Sequence, residues 1–141
     1  MGLIKKLFSA LGSNKINGAQ ILQSFQAQQQ ELQQEFLRLA KQSGKPRGLR
    51  WSGCDWLPSL ALVHDTNSGM LTLFQSVNLS FEAIEGGDME DVEAVSTIRD
   101  GSAVFHHHDG RWGTGGRVLF NMDPQTAAQT AAPGQELLLS E

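Results

Sequence analysis

The hydrophobic period of this chain changes once, close to residue 48, and that change limits the folds open to it. Over residues 19–43 apolar side chains recur at helical spacing: Leu22, Gln29 and Phe36 share one heptad position, and Phe25, Leu32 and Leu39 share its partner. Gln29 interrupts an otherwise apolar stripe. Lys41 and Lys45 suit the negative end of a helix, Gly44 suits the residue just past it, and Pro46 prevents continuation. The eight Gln residues between 20 and 34 are uncharged helix formers for the exposed face. Ahead of this segment, Leu3, Ile4, Leu7, Phe8 and Leu11 form a second, shorter amphipathic stripe, and Gly12-Ser13-Asn14 and Gly18 hinge it to the rest.

From Leu49 the period becomes two, the mark of strands. Candidate strands are 49–56, 59–64, 70–85, 88–99, 102–108 and 111–120, punctuated by Thr66-Asn67-Ser68-Gly69, Gly86-Gly87, Asp100-Gly101 and Asp109-Gly110. The last three are two-residue loops of the kind that make tight hairpins. Their registers agree with one another. Together they place Leu73, Val77, Leu79, Phe81, Val92, Ala94, Ile98, Phe105, Trp112, Val118 and Phe120 on one face. Gly113, Gly115 and Gly116 predict a bulge or a close backbone approach in the last strand. Asp123-Pro124 predicts the cap of a brief helical turn through Gln129.

An apolar sheet face and an amphipathic helix fit each other. The expected fold is therefore α+β: a long N-terminal amphipathic helix packed on one face of a curved antiparallel β-meander of five to six strands. The expected organisation is a short amphipathic segment and hinge over 1–18, one domain over 19–125 and a loose tail over 126–141.

Charge divides the chain as well. Residues 1–50 carry eight Lys or Arg against Glu31 and Glu35, whereas residues 51–141 carry Arg99, Arg111 and Arg117 against thirteen acids. Such a dipole favours docking of the two halves or self-association. The acidic half would repel a nucleic acid backbone, so no nucleic acid partner is expected, although Arg47, Arg50, Trp51 and Trp56 cluster after the helix. Cys54 is the single cysteine, which rules out an internal disulfide and a cysteine-based metal cluster. No apolar run approaches the roughly 18 residues of a membrane span. A cytoplasmic protein is the expectation. Leu3, Ile4, Leu7, Phe8 and Leu11 with Lys5 and Lys6 would also suit an anionic membrane surface.

Chemistry-bearing residues are few. The hairpin registers put Glu82 opposite Asp91 and Glu93 opposite His108, with His106 one position along the same polar face. Two imidazoles at i and i+2 with cross-strand carboxylates can supply a divalent-metal site, so Glu82, Asp91, Glu93, His106 and His108 are the candidate ligands. His107 points the other way, beside Trp112. No nucleophile has a convincing base, no phosphate-binding loop is present, and no catalytic residue is assigned.

The run Phe81-Glu-Ala-Ile-Glu-Gly-Gly-Asp-Met-Glu-Asp-Val-Glu-Ala-Val95, with Asp109-Gly-Arg-Trp112 and Gly116-Arg-Val-Leu-Phe-Asn121, resembles a group of uncharacterised bacterial proteins over about residues 45–125. The resemblance implies a bacterial setting and no site residues. The sequence as a whole leads to a non-catalytic binding or assembly module acting through protein contacts, self-association included. The alternative is a metal-binding protein or metal-dependent hydrolase built on the acidic and histidine patch. A third reading is peripheral membrane attachment through residues 1–11.

Overall fold

Asn17 starts the long helix. Its side-chain oxygen accepts from the backbone N–H groups of Ala19 (3.1 Å) and Gln20 (3.3 Å), two donors that a helix start leaves without partners. The computed structural model describes residues 17–43, 49–83, 99–130 and 135–141. The elements in chain order are α1 (Gly18–Ser43), β1 (Leu49–Asp65), β2 (Leu71–Ala83), β3 (Arg99–His108), β4 (Arg111–Gly113), β5 (Val118–Phe120), α2 (Pro124–Gln129) and β6 (Gln135–Ser140). The strands form one open antiparallel sheet in the order β4-β3-β2-β1-β6, with β5 also paired to β3.

The expected α+β architecture is present, with α1 lying across one face of the sheet. Leu22, Phe25, Leu32, Phe36 and Ala40 are buried against Leu60, Leu62, Leu73, Val77, Leu79, Phe81 and Phe105. Burying each of the larger side chains is worth roughly 1.5–3 kcal/mol. No ion pair among the described residues joins α1 to the sheet; Arg38 pairs within the helix to Glu35. Apolar burial, not the charge dipole of the sequence, is what these contacts show to hold the layers together.

The interrupting Gln29 has a partner. Gln75 is only 3% exposed in the middle of the apolar sheet face. Its carbonyl oxygen accepts from Gln29 (3.4 Å) and Gln33 (3.3 Å), and its own amide donates to the Leu57 carbonyl at 3.2 Å. A buried amide without such partners would be destabilising, so the polar break in the helix stripe and the polar residue in the strand explain each other.

Several expectations are corrected. The candidate strands 49–56 and 59–64 are one strand, β1, with register shifts between Trp51 and Gly53 and between Trp56 and Leu60. Asp100-Gly101 is not a hairpin loop. Both residues lie inside β3, paired with Asn78 and Val77, so β2 and β3 are direct neighbours. The segment 111–120 divides into β4 and β5. Between them Thr114 donates to the Val104 carbonyl (2.8 Å), and the Val104 N–H donates to Arg117 (3.1 Å). Residues 135–140, expected within a loose tail, form β6 on the outer side of β1. The segments 1–16, 44–48 and 84–98 lie outside the described residues, and with them the N-terminal stripe, the Gly44 and Pro46 signals and the Gly86-Gly87 loop.

Other local expectations are met. Asp109 (φ 53°) and Gly110 (φ 79°) form the left-handed pair of a tight hairpin that sets His107 opposite Trp112. Asp123 caps α2 by accepting from the Thr126 N–H at 2.7 Å, with Pro124 in the first turn.

Candidate functional site

The face of the sheet turned away from α1 carries the groups left for function. Along β2 and β3 this face presents Thr72, Phe74, Ser76 and Asn78, paired with His106, Val104, Ser102 and Asp100. Its apolar patch, Val63, Phe74 and Val104, is capped by Ala127 of α2. The short helix divides the surface and leaves a depression on each side.

The larger depression is a polar cleft of about 500 Å³. Ser76 and Asn78 of β2, Asp100 of β3, and the turn Asn121-Met122-Asp123 line it, with Leu57 and Gly101 at its edge. The turn is pinned from below: the fully buried Ser102 hydroxyl donates to the Met122 carbonyl at 2.7 Å. The Asn121 N–H donates to the Asp100 carbonyl at 2.8 Å. Asn121 itself adopts φ 61°, a left-handed conformation that asparagine tolerates better than most residues. The Thr126 N–H on Asp123 holds that carboxyl below the usual range, so it is ionised at neutral pH.

The smaller depression, about 320 Å³, runs between α2 and β6. Gln125, Ala128 and Gln129 form one wall, and Gln135, Leu137 and Ser140 the other. Leu137 is 58% exposed and is the one large hydrophobic residue so exposed among those described.

The five proposed metal ligands are placed as follows. His106 and His108 share a face of β3 as expected. Their neighbours across the strands are Thr72 and Gly113 for His106, and Arg111 for His108. The Thr72 hydroxyl lies 3.4 Å from Nδ1 of His106. Glu82 stands ten positions along β2 from Thr72, a backbone separation of about 30 Å at strand rise. Asp91 and Glu93 lie outside the described residues. Among the described residues no group of three or more His, Cys, Asp or Glu is placed to hold a metal ion.

Other reactive groups are muted. Burial, with Asp55 nearby, pushes the Cys54 thiol up to about 11, so it stays protonated and a poor nucleophile at neutral pH. Burial also lowers the imidazoles of His106, with Arg117 adding to the effect, and of His107, with His108 adding. The unfolded chain therefore takes up protons near about pH 6.5 before the folded chain does. The histidine contribution to stability is complete above that pH and is lost as pH falls toward the lowered folded values. Asp65 and Asp123, whose carboxyls are lowered, act only in a more acidic range. The urea midpoint is expected to be lower at about pH 5.5 than at about pH 7.5, and His107→Gln is expected to shrink the difference. Equal midpoints at the two pH values would contradict this assignment.

Sequence reasoning did not single out the polar cleft. Its residues come from β1, β2, β3 and the turn after β5, and its polar groups meet only because β2 pairs directly with β3. No helix of the described residues is long and apolar enough to cross a membrane. No family model, curated protein or solved structure matches this chain.

Proposed function

We propose that this chain is a non-catalytic module that works through protein contacts, and that the outer edge of β6 is where a second copy adds. The observation that carries the reading is the exposed Leu137 on an edge strand, beside an open groove. Edge strands are commonly blunted by lysine, proline or charge. Gln135–Ser140 has neither lysine nor proline, and Glu136 is its one charged residue. Its inner side is filled by β1, and among the described residues no strand pairs with its outer side, which suits the addition of a further strand. The protonated Cys54, a poor nucleophile at neutral pH, is in keeping with a binding role.

Sedimentation velocity across protein concentrations, at low and high salt, tests this. Edge pairing is held by backbone hydrogen bonds and leucine contacts, so a dimer that persists at high salt is expected. Leu137→Lys is expected to weaken it by about tenfold or more. A monomer at every concentration and both salts would overturn the proposal. So would a dimer that salt abolishes and Leu137→Lys leaves unchanged, because that behaviour belongs to the charge dipole.

A further inference from the structure

The polar cleft beside the α2 N-terminus carries an inference independent of β6. Its volume of about 500 Å³ lies inside the roughly 300–1,000 Å³ common for small-ligand sites. Its frame is already satisfied internally by the Ser102, Asn121 and Thr126 hydrogen bonds, which fix the turn without using the groups that face the opening. Those groups are the side chains of Ser76, Asn78, Asp100 and Asn121, beside the Asp123 carboxylate, which Thr126 already engages through its backbone N–H and its side chain. Among the described residues, none of these four side chains makes a hydrogen bond to another side chain. All five bear acceptor oxygens, and among the described residues no Lys, Arg or His lines the cleft.

That inventory has a definite complement. An anion would meet two carboxylates with no cation to offset them. An apolar group would leave carboxylates and carboxamides dehydrated and unpaired, which is costly. A cation rich in N–H donors meets charge and acceptors together, and hydrogen bonds of that kind are the stronger ones. We propose that the Ser76–Asn78–Asp100–Asn121–Asp123 cleft is a binding site for a protonated nitrogen group, guanidinium or ammonium, on a small polar ligand. The guanidinium form fits better, since its planar fork of five donors matches convergent oxygens from separate elements.

The test is a titration of the full chain, followed through the side-chain amide NMR signals of Asn78 and Asn121. Arginine amide and lysine amide are the probes, and citrate is the control. Saturable shifts of both amides with arginine amide are expected, weaker shifts with lysine amide, and none with citrate. Asp100→Asn keeps the shape of an exposed side chain and removes its charge; it should weaken binding by about tenfold. Non-saturating shifts with both amides would overturn the assignment. So would equal shifts with citrate, or unchanged affinity in Asp100→Asn with its backbone spectrum intact.

Discussion

Replacing Phe105 with alanine is expected to remove about 3–5 kcal/mol of stability, a large share of the roughly 5–15 kcal/mol that separates a folded domain from its unfolded state. Phe105 is fully buried at the centre of the helix–sheet interface. Its ring lies 5.2 Å from that of Phe25, 5.9 Å from Phe36 and 6.0 Å from Trp56, centroid to centroid. Two of these partners come from α1 and one from β1, so the cavity would open where three elements meet. None can close it without leaving another: Phe25 is also held edge-on against Trp112 at 5.1 Å, and Phe36 against Trp56 at 5.3 Å. Urea denaturation with an unchanged slope checks the loss. Phe105→Leu, which keeps most of the volume, should cost clearly less. A Phe105→Ala midpoint within experimental error of the parent would show that the core is not centred here.

Gly116→Ala should be nearly as damaging, for a different reason. The backbone at Gly116 has φ 78°, and a Cβ there would stand 2.7 Å from the Ala40 nitrogen and 2.8 Å from the Leu39 Cβ. The glycine is where the β4–β5 connection presses on the last turns of α1. Strain at a left-handed backbone costs on the order of 1 kcal/mol for alanine, and crowding a packed site typically adds about 1–3 kcal/mol. Gly110 supplies the internal control. Its φ is 79°, but nothing lies within 4 Å of the Cβ position. Gly110→Ala therefore isolates the backbone term, and the excess loss in Gly116→Ala measures the collision with the helix. Equal losses at the two positions would mean that α1 moves aside freely.

Much of the fold was legible because period two identifies the face of a strand irrespective of its neighbours. Leu73, Val77, Leu79, Phe81 and Phe105 are buried under the helix, and Trp112, Val118 and Phe120 pack at its margin, as the alternation requires. The neighbours were not legible. Asp100-Gly101 and Asp109-Gly110 are the same dipeptide, yet only the second adopts the left-handed turn; the first is held straight by its ladder to Asn78 and Val77. A long-range pairing overrode a local signal. The run Leu137-Leu138-Leu139 gave no strand period, because a register shift in the β1–β6 pairing falls there and lets Leu138 and Leu139 both reach the core. The close approach at Gly116 was anticipated as one of two options for a glycine-rich strand. The candidate site was the least visible: Asn78 and Asn121 are unremarkable along the chain, Asp100 reads as a turn residue, and the three meet only once β2 and β3 pair.

The sheet order also sets a timetable. β1 finds one neighbour, β2, after a turn of a few residues, but its other flank is filled by a strand that begins 70 positions beyond its end, at Gln135. Among the described residues that flank has no other strand to pair with until β6 leaves the ribosome, and closing so long a connection is entropically slow. The nascent chain is most open to mispairing along Ala61–Asp65 in that interval, which makes the arrival of β6 the natural committing step of folding.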